Sequence, residues 1–326
     1  MKKTLSLLLL TVLLAVFAVA CGSDNSTESG TEKATTETAA AETTADPEEI
    51  TVTHDLGETT VTKNPETVVV FDFGTLDTLD KLGVEVAGVP QANIPSYLSK
   101  YEESKYENAG GLKEPDFEKI NEMEPDLIII SGRQADAYEE LSKIGPTIFL
   151  GVDTANYMDS FKKNANTLGE IFGKEAEVEE ELVKVEESIK ALNETATASG
   201  KNALIILANE GKMSAYGAGS RFGILHDEFG FTPVDEKIEA STHGQSISFE
   251  YIVEKDPDYL FVVDRGAVVE GGDSSAKQVV ENELVKQTKA FKDDNIIYLD
   301  ANYWYLSGGG VVSVSEMVKE VEGSLE

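Results

Sequence analysis

Two segments of this chain repeat one another without a gap, and they constrain the fold more than any other feature. The first runs from Phe117 to Arg133 and the second from Phe249 to Arg265, an offset of 132 residues. Each has Phe-Glu, an isoleucine, Pro-Asp, an apolar run and a final arginine. A helix followed by a buried strand produces this pattern. The repeat predicts two similar lobes with an arginine at equivalent strand ends.

Short apolar strands alternate with amphipathic helical stretches along the rest of the body, which predicts an α/β fold. Between residues 156 and 198 the apolar positions follow helical spacing instead, and we expect mostly one long helix with Gly173 as its one weak point. The predicted architecture is two Rossmann-like lobes with central sheets, residues 49–155 and 199–326, joined by this helix.

The first twenty residues are typical of a secretory signal. Lys2 and Lys3 precede an apolar run that ends at Ala20, and Cys21 follows as the chain's only cysteine. A cysteine in this place resembles a bacterial lipobox, which predicts cleavage before Cys21 and a lipid on its sulfur. The alternative is an ordinary signal peptide with an unrelated cysteine. Residues 21–48 are small and polar, so we expect a disordered tether.

The net charge of the chain is strongly negative and restricts the partners. It is −33, and loss of Lys2 and Lys3 with the signal would make it −35. Such a charge argues against nucleic acid or an anionic lipid surface as a binding partner. A site for an anionic ligand would need local positive charge that overcomes this field.

The three arginines are the candidates for that local charge, because the other basic residues are lysines. Arg133 and Arg265 end the two repeats, where α/β sheets bind ligands. Arg221 follows Ser220, a plausible N-cap, and we expect it to start a helix. Arginine keeps its charge when dehydrated and presents a planar set of donors. The alternative is that each arginine pairs with a carboxylate for structural reasons.

An aromatic segment and one histidine complete the candidate residues. His243 lies in a Gly-containing polar stretch between Arg221 and Arg265. We expect Tyr303 and Tyr305 to share one side of an extended segment, with Trp304 on the other side or in the core. A tyrosine beside a histidine suggests Fe³⁺, because phenolate oxygen is a hard donor and imidazole suits iron.

Enzyme motifs are weak. The stretch YGAGSRFG lacks the lysine of a P-loop and the spacing of a nucleophile elbow. An exported hydrolase would need a nucleophile–base pair, and a surface adhesin or scaffold would not require arginine to be confined to three such places. We therefore expect a binding protein and no enzyme.

The stretches EPDLIIISGRQ, SRFGILHD, STHGQSI, PDYLFVVDR and IIYLDANYWYL together resemble the siderophore-binding lipoproteins of bacterial iron ABC importers. The resemblance covers nearly all of residues 50–326 and is strongest for binders of ferric catecholates such as enterobactin fragments and petrobactin. It implies a monomer without an intrinsic cofactor, anchored to the outer face of the cytoplasmic membrane. The alternative within binding proteins is a haem or corrinoid carrier.

The resemblance also implies residue roles. Arg133, Arg221 and Arg265 would hold the ferric catecholate, while His243 and Tyr305 would complete the iron shell. Glu118 and Glu250, one in each repeat, would dock on the membrane permease that works with a cytoplasmic ATPase. Weaker ligand-binding candidates are Tyr303, Gln91 and Tyr97.

Overall fold

Two β-sheets, each centred on parallel strands, organise the chain. The computed structural model describes residues 48–269 and 276–325. The predicted signal peptide, Cys21 and the tether up to residue 47 lie outside the described residues. The strands are β1 (Glu49–His54), β2 (Gly57–Thr62), β3 (Val68–Val70), β4 (Gly88–Val89), β5 (Glu107–Asn108), β6 (Leu127–Ile130), β7 (Thr147–Phe149), β8 (Asn202–Asn209), β9 (Lys212–Tyr216), β10 (Thr232–Pro233), β11 (Gln245–Ile247), β12 (Tyr259–Asp264) and β13 (Ile296–Leu299).

Helices cover both sheets and connect them. The α-helices are α1 (Phe73–Lys81), α2 (Phe117–Glu122), α3 (Tyr138–Leu141), α4 (Tyr157–Phe172), α5 (Glu175–Ser199), α6 (Ile224–Asp227), α7 (Phe249–Lys255), α8 (Gly266–Val269), α9 (Ala276–Val280), α10 (Lys289–Lys292) and α11 (Val311–Gly323). Short 3-10 helices cover Ser96–Glu102, Gly132–Ala137, Thr154–Asn156 and Val285–Gln287, and a π-helical turn covers Asn302–Leu306. Among the described residues, no helix combines the length and apolarity needed to cross a membrane.

The first sheet has the order β5-β4-β3-β6-β7, and all of its pairs are parallel. Numbered within the sheet this is 3-2-1-4-5, a doubly wound order whose direction changes between β3 and β6. Both strands are completely buried, as expected for strands covered on two faces. A ligand is expected beyond the carboxyl ends at this change of direction. We call the part of the chain from β1 to β7 the first lobe.

The second sheet has the order β11-β9-β8-β12-β13, with β10 beside the start of β8. Its centre, β8-β12-β13, is parallel, whereas β9 pairs antiparallel with both β8 and β11. We call the part from β8 to the π-helical turn the second lobe. Two sheet-centred lobes with a connecting helical segment confirm the predicted α/β fold class.

The repeat has a structural basis in both lobes. Phe117 and Phe249 are the first residues of α2 and α7, and a buried strand follows each helix. The Pro-Asp pair fixes the start of that strand. The Asp126 carboxylate accepts a 2.8 Å hydrogen bond from Thr67 N, and Asp258 accepts one of 3.1 Å from Asn202 N. Each aspartate thus links its strand to the neighbouring strand at the same place.

The connecting segment is two helices and not one. Gly173, with a left-handed φ of 60°, ends α4, and α5 starts two residues later and continues for 25 residues. Phe161 of α4 and Val185 of α5 belong to one buried cluster, so the helices pack together. The last helix, α11, also contacts α5, and its N-terminal end lies against α1 of the first lobe.

Candidate ligand-binding site

Arg133 lies three residues after β6, at the point where the first sheet changes direction. It belongs to the 3-10 turn Gly132–Ala137, which is held to the sheet by buried Gln134. The Gln134 side chain accepts a 3.1 Å hydrogen bond from Ser131 N and donates to Leu112 O. With this turn fixed, Arg133 Nη2 donates to the carbonyl oxygen of Tyr305 at 2.7 Å. The first lobe therefore places a guanidinium on the second lobe.

Arg265 occupies the equivalent place in the second lobe, directly after β12. Its Nη1 donates a 2.6 Å hydrogen bond to Asn209 Oδ1 at the end of the neighbouring strand β8. Its Nε donates to the hydroxyl of Tyr305 at 3.0 Å. Two adjacent strand ends thus orient this guanidinium towards the same tyrosine.

Arg221 approaches Tyr305 from a third direction. The prediction that it starts a helix is wrong, because the four-residue helix α6 begins only at Ile224 and its N-cap is Gly223. Arg221 lies in the preceding turn, where Ser220 is fully buried and accepts from Ser241 N instead of capping a helix. Arg221 Nη2 donates to Tyr305 O at 2.7 Å, and its guanidinium carbon lies 4.2 Å from the ring centroid.

The segment that carries Tyr305 is a π-helical turn, so the predicted extended conformation is wrong. In a helical turn, residues two positions apart point in nearly opposite directions. Tyr303 consequently packs on Tyr97 of the first lobe, with ring centroids 4.8 Å apart, while Tyr305 faces the arginines. Trp304 is buried and donates a 2.8 Å hydrogen bond from its indole to Glu320 Oε2.

The electrostatics of this cluster are unusual for so acidic a protein. Among residues 48–269 and 276–325, Arg133 and Arg221 have no carboxylate within 4.0 Å. Arg133 donates to the backbone carbonyls of Tyr305 and Leu306 and Arg221 to that of Tyr305, which leaves both positive charges without a neutralising partner in that part of the chain. The structural ion-pair alternative therefore does not describe these two arginines.

The three guanidiniums change the titration of Tyr305. Burial acts to raise the pKa of this phenol, but the hydrogen bond from Arg265 and the charges of all three arginines outweigh it and lower the pKa. Burial and the charge of Arg133 lower the pKa of Arg221, although a guanidinium stays protonated in proteins. The cluster thus makes Tyr305 easier to ionise than an ordinary tyrosine, and the ionised phenolate is the form that binds Fe³⁺.

The other candidates lie around this cluster with different partners. His243 is exposed in a bend, and its backbone bonds to Ser241 and Tyr216, whereas its imidazole has no hydrogen-bond partner among the described residues. Gln91 turns its amide to the carbonyls of Tyr101 and Tyr106 at 3.4 and 3.0 Å, inside its own lobe. Its amide is thus engaged in the first lobe and does not line the arginine cluster.

The loop that contains Gln91 and Tyr97 nevertheless borders the site, because it touches the second lobe twice. Asn93 Nδ2 donates to Val268 O at 3.0 Å, and Ser96 N donates to Asn302 Oδ1 at 3.0 Å. The Tyr97 hydroxyl donates to Asp77 Oδ2 at 2.9 Å and lies 2.7 Å from Ser307 Oγ. Tyr97 therefore connects the lobes beside the arginine cluster.

Glu118 and Glu250 occupy the second position of α2 and α7. Both carboxylates are exposed. Their equivalent positions in the two lobes give the protein two similar acidic points on its surface.

Sequence reasoning missed Asp77 and Asn209. Asp77 is completely buried in α1, and it accepts from Val312 N at 3.1 Å and from Ser313 N at 2.8 Å. The available signal was its place four residues after buried Phe73, on the apolar side of α1. Asn209 ends β8 and orients Arg265, as shown by its 2.6 Å hydrogen bond.

Known proteins share this sequence and fold along nearly the whole chain. The petrobactin-binding protein YclQ of Bacillus subtilis is 52% identical over 328 residues, which cover 99% of each chain. The ferric-anguibactin-binding protein FatB of Vibrio anguillarum is 32% identical and covers 83% of this chain and 86% of its own. These relatives are binding proteins by name.

Solved structures agree with the sequence relatives. The crystal structure of YclQ from Bacillus subtilis matches with a TM-score of 0.84 at 56% identity, over 86% of this chain and 99% of that one. The periplasmic catecholate-siderophore binding protein VctP from Vibrio cholerae gives 0.82 at 39% identity, over 85% and 100%. The family model described as "Periplasmic binding protein" matches residues 68–303. This chain therefore belongs to the periplasmic binding protein family.

Proposed function

We propose that this protein is the ligand-binding component of an iron ABC importer and that it captures a ferric catecholate siderophore between its lobes. One observation carries the proposal: guanidiniums from both lobes converge on Tyr305. Their carbon atoms lie 5.9, 4.2 and 5.8 Å from its ring centroid for Arg133, Arg221 and Arg265.

The chemistry of the ligand fits this cluster. A ferric tris-catecholate is an aromatic trianion, and three guanidiniums offer equal opposite charge, planar donors for its oxygens and faces for its rings. Lysine would supply the charge but not the planar face. The names of YclQ and VctP, petrobactin-binding and catecholate-siderophore binding, support the same ligand class. The convergence of the arginines argues against haem or a corrinoid.

Tyr305 and His243 would act as iron ligands when the siderophore supplies only four donors. The arginines lower the pKa of Tyr305 despite its burial, so its hydroxyl loses a proton to iron more easily than that of an ordinary tyrosine. The His243 imidazole is exposed and has no hydrogen-bond partner among the described residues, so no internal bond has to break. Tyr303 packs against Tyr97, and the two rings would form part of the pocket wall without binding iron.

Delivery to the importer would use the exposed pair Glu118 and Glu250. A permease with two similar halves would present one cationic site to each lobe, and long-range attraction to an acidic carrier would speed the encounter. We infer that Cys21 carries a lipid that keeps the protein, as a monomer, on the outer face of the cytoplasmic membrane.

Titration of the mature protein with ferric catecholate, hydroxamate and citrate complexes tests the proposal. Binding would be followed by Trp304 fluorescence and the iron charge-transfer colour. We expect tight binding of a ferric catecholate and a loss of about 10- to 100-fold in Arg221→Ala, the effect of charge-assisted hydrogen bonds. Lys255→Ala is the control, because Lys255 pairs with Asp235 at 2.8 Å outside the site. Unchanged affinity in Arg221→Ala, or no binding of any catecholate, would overturn the proposal.

A further inference from the structure

A buried carboxylate in the first lobe holds the end of the segment that carries Tyr305. Asp77 of α1 is fully buried, and its Oδ1 and Oδ2 accept the N–H groups of Val312 and Ser313, the start of α11. These N–H groups lack partners within their own helix, so the carboxylate completes the helix start. The neighbouring Val311 N donates to Thr78 Oγ1 at 3.2 Å. One turn of α1 therefore binds one turn of α11.

Two routes lead from Asp77 to Ser307, which is buried and directly follows the π-helical turn. In the first, the Tyr97 hydroxyl lies within hydrogen-bond distance of both Asp77 Oδ2, at 2.9 Å, and Ser307 Oγ, at 2.7 Å. In the second, Ser313, whose backbone donates to Asp77, donates through its hydroxyl to Ser307 O at 2.6 Å. Ser307 itself donates to Asn302 O through both its backbone and its hydroxyl, at 3.1 and 2.6 Å. The two ends of the π-helical turn are thus joined at Ser307.

Two glycines make room for this arrangement. A Cβ on Gly310 would lie 2.2 Å from Asp77 Oδ1, and a Cβ on Gly74 would lie 2.9 Å from Ser307 O. Separations below 3.0 Å are essentially not seen for real Cβ atoms. The backbones of α1 and of the segment before α11 therefore touch directly, and the absence of side chains at these two positions permits the contact.

We propose that Asp77 is a positioning residue for the ligand site: through Tyr97, Ser313 and Ser307 it holds the π-helical turn so that Tyr305 stays among the three arginines. The residue makes no contact with the guanidiniums in the described residues and acts on them through the turn. Because Asp77 belongs to the first lobe and the turn follows β13 of the second sheet, the same contact also limits the separation of the lobes at this edge. This proposal rests on the proposed function only for its effect on affinity.

Hydrogen exchange of the ligand-free mature protein, together with ferric-catecholate titration, tests it in Asp77→Asn and Tyr97→Phe. Asparagine keeps the size of the side chain but replaces one of the two acceptor oxygens by a donor. Tyr97→Phe cuts the first route without changing any charge. We expect faster exchange of the amides of residues 302–313 and about tenfold weaker binding in each variant, as for the loss of a buried hydrogen bond.

Asp258→Asn is the matched control, since Asp258 also accepts a backbone N–H but at the opposite ends of the strands. This variant should change neither the hydrogen exchange of residues 302–313 nor the affinity for the ferric catecholate. Unchanged exchange of that segment in both test variants, or faster exchange with unchanged affinity, would overturn the proposal. If the wild-type protein bound no ferric catecholate, the proposed function would fail, and the exchange measurement would still decide whether Asp77 holds the turn. If Asp77→Asn does not fold, the results for Tyr97→Phe alone test the proposal.

Discussion

Arg133 of the first lobe donates a 2.7 Å hydrogen bond to the carbonyl oxygen of Tyr305 in the second lobe. Arg221 donates to the same oxygen at the same distance. Two cations that share one acceptor are coupled, because the loss of either changes the position of the other. The coupling of Arg133 and Arg221 through this shared carbonyl can be measured with single and double variants.

The double variant Arg133→Ala with Arg221→Ala should show this coupling. We expect each single variant to weaken ferric-catecholate binding about 10- to 100-fold. The affinity loss of the double variant should be smaller than the product of the two single losses, since the free-energy effects of neighbouring residues that share a partner are not additive. Isothermal titration calorimetry of the four proteins measures the coupling. Additive losses would show that the two guanidiniums act independently.

Tyr305 should ionise at a lower pH than an ordinary tyrosine. The hydrogen bond from Arg265 and the three positive charges lower its pKa against the effect of burial. Ultraviolet difference titration of the wild-type protein against Tyr305→Phe isolates this residue from the other ten tyrosines. Arg265→Gln should raise the pKa of Tyr305. An unchanged value in that variant would contradict the assigned role of Arg265.

Asp77 should make stability depend on pH. Burial raises its pKa to about 7, against the lowering effect of the Ser313 and Val312 N–H groups. The groups that face it are the phenols of Tyr97, Tyr157 and Tyr303, whose pKa values are also raised by burial, so they stay neutral. The folded protein holds the Asp77 proton more tightly than the unfolded chain. Its contribution to the free energy of unfolding is therefore present at about pH 4 and lost as the pH rises to about 7.

Denaturant unfolding of the wild type and Asp77→Asn across this range checks the sign. The slope from this one group is at most about 1.4 kcal/mol per pH unit, and the variant should lack it. Burial also raises the pKa of Glu320. That group is present in both proteins and cancels in the difference. Parallel pH profiles for the two proteins would contradict the assignment.

Gly74→Ala should destabilise the protein although it lies within a helix, where alanine is normally favoured by about 1 kcal/mol. Its Cβ would meet Ser307 O at 2.9 Å and Gly310 N at 3.0 Å. We expect a loss of about 1–3 kcal/mol in the free energy of unfolding, as for overpacking. Gly323→Ala is the control, because a Cβ there has no heavy atom within 4 Å. Equal stability of both variants would contradict the close contact.

The pair Glu118→Lys and Glu250→Lys should abolish uptake without weakening siderophore binding. Both carboxylates are exposed near the start of their helices, and neither takes part in the hydrogen bonds around Tyr305 among the described residues. Growth on ferric siderophore in cells that carry the double variant measures transport, and fluorescence titration measures binding. Glu122→Lys with Glu254→Lys, the other equivalent acidic pair on the same helices, is the control. Normal uptake by the first double variant would contradict the docking role.

The repeat made much of the site predictable. It placed Arg133 and Arg265 at strand ends because an apolar run followed by a charge marks where a buried strand leaves the sheet. The likeness of the two segments implied two lobes that could face one another. The prediction that a helix starts directly after Ser220 was wrong. A turn that precedes a short helix contains the same small and polar residues as a true N-cap, so the sequence did not distinguish the two.

Other parts of the site depend on contacts between distant residues and leave little trace in local pattern. Asp77 and Ser313 are 236 positions apart, and the sequence around each residue does not indicate that they form a hydrogen bond. The aromatic stretch around Trp304 alternates like a strand, yet it forms a π-helical turn whose Tyr305 carbonyl accepts hydrogen bonds from the distant residues Arg133 and Arg221. Such long-range contacts are not visible in a local sequence pattern, so the turn could not be predicted from it.

The return of α11 to α1 sets the order in which the protein can be completed. The first lobe needs Val312 and Ser313 as partners for Asp77, and these residues follow it by 235 and 236 positions. A first lobe that packed before these residues arrived would bury the Asp77 carboxylate with the Tyr97 hydroxyl but without its two backbone N–H donors, which is costly. Its final packing therefore depends on α11, and we expect the two lobes to mature together instead of one after the other.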